Sequence, residues 1–322
     1  MKKCVYAAIF TALTVAVALA TLLFPGAVLL FSLISTVLFS FVIVLADTSA
    51  SRIVSQAVIA VFYIASVFVL NDPVPGLLIL AMFFPVGWAV GTAYLMKRNL
   101  NSAGAMSVMF GAVFIFALFA VYALYSAGNF ADAAENLKNA FVPQVENVLT
   151  EAFSAQSEIT ENIYLYSVST IATAIFSYIP AAIAIWYLVC TAVSFAVLRK
   201  ALKAAQNDVS FMGTFSDFRV SKAGAIAYFI ASLISLLSLG SAVGTATLNF
   251  TGVMSVVLAY AGISLVNYIL DFKNIPDILR RIIIIALFVI GILPIGISYL
   301  LSILGLVDSY LNIRERLMNS GH

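Results

Sequence analysis

The sequence predicts an all-α fold, a polytopic bundle of transmembrane helices, and three observations carry that prediction. Hydrophobic residues make up 63% of the 322, while Asp, Glu, Lys and Arg together make up only 9%. Soluble domains carry about 25% charged residues. Mean hydropathy is +1.11, so lipid is the main solvent. Apolar runs near twenty residues also recur along the chain, the length a helix needs to cross the hydrocarbon core.

Taken in order, these runs predict spans near 4–24, 27–46, 53–70, 76–96, 104–126, 164–198, 223–246 and 250–270. The first could pass for a signal peptide, with Lys2-Lys3, an apolar stretch and then Ala18-Leu19-Ala20. The run continues through Phe24 and further spans follow, so an uncleaved helix is expected. The last apolar region, 276–313, is too long for one span and is interrupted by Leu293-Pro294-Ile295-Gly296. It reads as a hairpin of helices near 276–292 and 294–313, giving about ten spans; the alternative is nine, with 282–304 as a single crossing. Charge arbitrates. With the N-terminus inside, ten spans put 15 of the 16 bases on the inner side and only Lys138 outside, as the positive-inside rule requires. Nine spans would strand Arg314 and Arg316 outside.

The one long polar stretch, 127–163, is expected on the outer face. Phe130, Ala134, Leu137, Phe141, Val145, Val148 and Ala152 recur at steps of three or four, the period of an amphipathic helix. Val142-Pro143 is expected to break it into two short helices, because proline disfavours helix in the residue before it. Its acids favour capping the bundle over binding anionic headgroups. The organisation expected is a five-helix membrane half over 1–126, the external segment 127–163, and a second membrane half over 164–322.

Composition excludes several classes. Net charge is +2 with no basic block, so nucleic acid is not an expected partner. The only histidine is His322, which removes HExxH metalloproteases and Ser-His proteases. Cys4 and Cys190 build no disulfide framework. No GxxxxGK[ST] motif is present, and no charged residue lies near a predicted midplane, which disfavours carboxylate-driven proton coupling. The outer acids form neither DxD nor DDxxD. No catalytic residue, metal site or cofactor is expected, and the chain does not read as an enzyme.

Two patterns remain. Ala8, Ala12, Ala16 and Ala20 form a smooth ridge on the first helix, and Gly87-x-x-x-Gly91 and Gly240-x-x-x-Gly244 repeat the spacing. Such ridges let backbones approach closely. The ridge suits packing inside an Ala-rich bundle, the commoner use, or docking of a partner helix. Uncharged polar side chains form the second pattern: Asn249, Asn267, Trp88, and Ser232, Ser235, Ser238 and Ser241. They could line a cavity for a neutral solute. They equally suit hydroxyls bonded to their own helix, amides at helix ends and interfacial aromatics.

The second half resembles a family of uncharacterised bacterial membrane proteins, the YybS-like proteins. The matching residues are Pro180, Leu198-Arg199-Lys200, Phe215-x-x-Phe218-Arg219, Asn249, Tyr260-Ala261-Gly262-Ile263-Ser264, and Leu304-Gly305-Leu306-Val307-Asp308 followed by Arg314. Val220-Ser221 stands where the family usually has a proline. The resemblance implies distant similarity of the first helices to the S subunits of energy-coupling-factor transporters. Those dock through an Ala-x-x-x-Ala ridge, which would correspond to Ala8, Ala12 and Ala16. The function expected is a small-solute-binding or transporter-type subunit in the bacterial cytoplasmic membrane. It would work with a separate ATPase and coupling subunit, with Asn249, Asn267 and Trp88 as candidate substrate contacts. The alternative is a non-catalytic scaffold or assembly protein of the cell envelope.

Overall fold

The computed structural model describes residues 2–46, 53–54, 57–58, 61, 74–124, 128–154, 161–237, 241–292 and 297–320. Among them all regular structure is helical. In chain order the helices are α1 (Lys2–Leu23), α2 (Val28–Leu45), α3 (Val74–Leu95), α4 (Leu100–Tyr122), α5 (Phe130–Ser154) and α6 (Glu161–Ala204). There follow α7 (Lys222–Leu236), α8 (Ser241–Phe272), α9 (Asp277–Ile292), α10 (Ile297–Leu311) and α11 (Ile313–Ser320). Among the described residues five segments are long and apolar enough to cross a membrane: Val28–Leu45, Gly76–Leu95, Leu100–Tyr122, Val168–Ala204 and Val243–Phe272. Val5–Thr21, Lys222–Leu236 and Tyr299–Leu311 are shorter apolar helices. Most of the expected span 53–70, the turn Leu293–Gly296 and the pair Ser238/Gly240 lie outside the described residues.

Two boundaries differ from expectation. Helix α5 runs unbroken from Phe130 to Ser154 with Pro143 inside it, in place of two short helices. A proline removes one i→i−4 bond and clashes with one carbonyl, which this 25-residue helix accommodates. Helix α7 stops at Leu236 instead of near 246, and α8 begins at Ser241, so Asn249 lies two turns inside α8 rather than opening it. The local sequence Ser238-Leu239-Gly240-Ser241 is rich in weak helix formers. Over 276–313 the expected pair of helices is present, α9 ending at Ile292 and α10 starting at Ile297, and the alternative of one helix over 282–304 is not.

The helices fall into two compact units that do not follow chain order. The first comprises Met1–Ile115, Ala184–Ala225 and Ser255–His322. Its core gathers Ala18, Phe39, Val42, Ile43, Leu80 and Phe83. Helix α3 lies directly on α2 there: a Cβ at Gly91 would stand 2.5 Å from Ile43 Cβ, and one at Gly87 3.1 Å from the Thr36 carbonyl oxygen. The Gly87-x-x-x-Gly91 pattern therefore serves internal packing. Pro85, inside α3, has no N–H for the carbonyl of Ala81, and the Tyr187 hydroxyl donates to that oxygen at 2.7 Å. An unpaired carbonyl in lipid costs several kcal/mol. The Tyr187 ring fills the place a side chain at residue 111 would need, 1.8 Å from a Cβ built on Gly111.

The second unit comprises Phe116–Ile183 and Ile226–Met254. Helix α5 packs there through aromatic side chains. Phe130 stacks on Phe116 (6.0 Å) and meets Phe119 (5.8 Å), and Phe141 meets Phe176 (5.8 Å). Pro180 lies inside the continuous α6, and Asn249 braces the turn around it: its Oδ1 accepts from the Ala181 N–H (2.9 Å) while its Nδ2 donates to the Ser177 carbonyl (2.8 Å). Those two groups are the i→i−4 pair of a regular helix. The asparagine amide stands between them as an inserted peptide would.

Candidate functional site

Many hydroxyls on the apolar helices donate to the preceding turn of their own helix. Thr11, Thr14 and Thr21 donate to the carbonyls of Ala7, Phe10 and Ala18 at 2.6–2.7 Å. Ser232 and Ser235 donate to Tyr228 (2.8 Å) and Ser232 (2.7 Å) on their own helix. Serine placed on α7 by sequence thus satisfies its own backbone.

The most connected polar site lies in the first unit, where α8, α10, α11 and the segment between α6 and α7 meet. Helix α8 crosses α10 at glycine contacts: a Cβ on Gly262 would sit 2.1 Å from the Leu301 carbonyl oxygen, and one on Gly305 2.0 Å from that of Leu258. Backbone touches backbone, so no larger residue fits at either position. Helix α10 then ends at Leu311, and Asn312 takes a left-handed φ of 50°, which turns α11 back towards it. Asparagine tolerates that conformation better than most residues. The turn brings Arg314 onto the carboxylate six residues earlier: its Nε donates to Asp308 Oδ2 at 2.9 Å, with the two side chains only 7% and 3% exposed.

The guanidinium is then spent on the segment between α6 and α7. It donates to the Ser216 carbonyl, to the Phe218 carbonyl (3.0 Å) and to Ser264 Oγ (3.2 Å). The Ser264 hydroxyl itself reaches the Phe215 carbonyl at 2.7 Å and lies 2.9 Å from that of Phe218. Asn267 Nδ2 donates to Ser216 Oγ at 2.7 Å, and the guanidinium stands 5.7 Å from the Tyr268 ring centroid. Phe215 and Phe218 stack edge-on against Tyr260, at 4.9 and 4.6 Å. At the rim, Arg219 pairs with Glu315 at 3.0 Å, both half exposed, which contributes little. Burial pulls the Arg314 guanidinium below its ordinary pKa, and the neighbouring Asp308 carboxylate pulls it back up. Arginine stays charged at any physiological pH, so the pair is a permanent ionic joint.

Beside this joint lies a cavity of about 370 Å³, walled by the end of α6 and by Thr214, Phe215 and Tyr260. It presents Arg199, Lys200 and Lys203. Across the turn after α6, Asp208 accepts from the backbone N–H and hydroxyl of Ser210, which hold its carboxyl below the usual range, with Lys97 adding to the effect.

The candidates chosen from sequence have separate surroundings. Trp88 packs edge-on against Phe110 at 4.5 Å, beside the α2/α3 core. Asn249 belongs to the second unit, where its amide is taken up by Ala181, Ser177 and Thr245. Asn267 sits at the ionic joint. On α1, Ala7, Thr14, Ala18 and Thr21 are buried whereas Ala8, Ala12 and Ala16 are exposed. Phe215, Phe218, Arg219, Tyr260, Ser264, Asp308 and Arg314 of the joint stand in the stretches that carry the family resemblance, and the Asp308-x5-Arg314 spacing is its visible signal in the sequence. Among the described residues no cluster of metal-ligating side chains occurs.

Long apolar helices, polar groups bonded to neighbouring backbone, and charges confined to the ends of the apolar helices, the amphipathic α5, the short α11 and the loops define a polytopic helical membrane protein. The family model described as predicted membrane protein (DUF2232) matches residues 12–309, and the chain belongs to that family. No curated protein and no solved structure gives a match.

Proposed function

We propose that the chain is a bacterial cytoplasmic-membrane protein of about ten spans with both termini in the cytoplasm. In this reading it catalyses no reaction and acts as a transporter-type or small-solute-binding subunit beside a separate ATPase. The observation that supports it is the exposed ridge of Ala8, Ala12 and Ala16, left over after α1 has packed its other face. Lipid is covered equally well by bulky side chains, whereas small residues four apart suit a closely approaching helix. The resemblance to S subunits gives that helix an owner, the coupling subunit that carries the ATPase pair.

The scaffold reading is favoured by a different observation: Trp88, Asn249 and Asn267 are all engaged in packing or hydrogen bonds. One experiment separates the two. Ala12→Leu is made in a tagged full-length chain, and both thermal midpoint and co-purified ATPase are measured. Docking predicts an unchanged midpoint, since exposed substitutions stay within about 0.5 kcal/mol, together with loss of the ATPase. Failure of the wild type to bring down any ATPase would overturn the transporter reading and leave the scaffold.

A further inference from the structure

The end of α6 carries a graded stripe. Ala192, Phe195 and Ala196 are followed by Arg199, Lys200 and Lys203, and all six wall the same cavity of about 370 Å³. Their spacing of three and four residues places them on one helix face. One part of that face is apolar and the other cationic, and no Asp or Glu is among the lining residues.

Arg314 is matched by Asp308, Arg280 by Asp271 and Asp277, and Arg219 by Glu315. Among the described residues Arg199, Lys200 and Lys203 enter no ion pair, and the Nε of Arg199 is buried without a hydrogen-bond partner. Lys97, Arg98, Lys222, Lys273 and Arg281 likewise enter no ion pair among the described residues, so what sets this stripe apart is the buried Nε of Arg199 and the cavity it faces. A buried guanidinium N–H left unmatched is costly. Asp217, whose Oδ2 accepts from the backbone N–H and hydroxyl of Thr214, forms no ion pair with these bases among the described residues. Bases in the last turn do complement the helix dipole, but that effect requires no cavity and no buried Nε.

We propose that this cavity binds a phosphate monoester or diester carried on an apolar tail. Arg199, Lys200 and Lys203 would hold the phosphate, and the Ala192–Ala196 stretch would hold the first part of the tail. Guanidinium and ammonium groups are the usual partners of phosphate oxygens, arginine offering two parallel donors. Position fits as well: α6 is one of the apolar spans, and its cationic end is where a headgroup would lie. The site is independent of the alanine ridge and of any ATPase. The same phosphate chemistry could come from a membrane lipid or from a soluble ester.

The test uses the full-length protein in neutral detergent. Thermal midpoint is followed against added dioleoylphosphatidylglycerol, dioleoylphosphatidylcholine or sn-glycerol 3-phosphate. Phosphatidylglycerol is expected to raise the midpoint saturably, with phosphatidylcholine much weaker. Arg199→Gln, and separately Lys200→Gln/Lys203→Gln, should weaken the apparent affinity about five- to tenfold per charge removed. Lys273→Gln, a base outside the cavity, should leave it unchanged. An equal response to glycerol 3-phosphate with the same pattern of variants would keep the phosphate contacts, overturn the apolar-tail half of the proposal and assign the site to soluble esters. The Lys200/Lys203 variant, altering exposed side chains, decides the matter should Arg199→Gln fail to fold. No saturable shift with any phosphate, or equal loss in Lys273→Gln, overturns the proposal.

Discussion

Removing the carboxylate at residue 308 is the sharpest perturbation of the ionic joint. Asp308→Ala would leave the Arg314 guanidinium, 7% exposed, with carbonyl and hydroxyl acceptors but without its hydrogen-bonded counter-charge, only the weaker influence of Asp217 remaining. Breaking a buried pair from one side costs about 3–5 kcal/mol. At about 2–4 °C per kcal/mol the midpoint should fall by roughly 6–20 °C. The double change Asp308→Ala/Arg314→Met removes both charges and should be milder than either single, since an apolar replacement of a buried pair is often close to neutral. Some loss should remain, because the Ser216 and Phe218 carbonyls lose their donor. Unfolding is followed with a thiol-reactive dye in a Cys4→Ser background, where the buried Cys190 becomes the reporting thiol. Singles within about 2 °C of the parent, or a double equal to the sum of the singles, would refute the reasoning.

Three further outcomes are expected. Asn249→Leu should cost on the order of 2 kcal/mol by orphaning the Ala181 N–H and the Ser177 carbonyl, and adding Pro180→Ala should recover part of it as the turn around residue 180 tightens; no recovery in detergent melts would contradict the brace. Gly305→Ala should destabilise by about 1–3 kcal/mol, because its Cβ would lie 2.0 Å from the Leu258 carbonyl, whereas Gly26→Ala, with nothing within 4 Å, should be silent in the same melts. A cysteine replacing Ser154 should react with an impermeant maleimide on intact cells and one replacing Ser320 should not; the reverse labelling would sink the proposed orientation.

Solvent class and helix placement were legible in the sequence, because transfer from water to lipid is close to a sum over residues. That sum needs no knowledge of neighbours. It was enough to find the apolar helices, the break within 276–313 and the amphipathic face of α5. The tertiary structure decided which of two small-residue faces of α1 would pack. Both Ala8/Ala12/Ala16 and Ala7/Thr14/Ala18/Thr21 offer smooth surfaces, and only the second is buried. It also decided what the polar side chains do. Asn249 reads in sequence as a solute contact or a cap, and becomes the brace of a proline-containing turn 68 residues away. Arg314 reads as one more positive-inside charge, and becomes the anchor of a segment 98 residues earlier. Hydropathy is additive and local, whereas a hydrogen bond depends on which donor and acceptor arrive together, and in lipid each must find a partner.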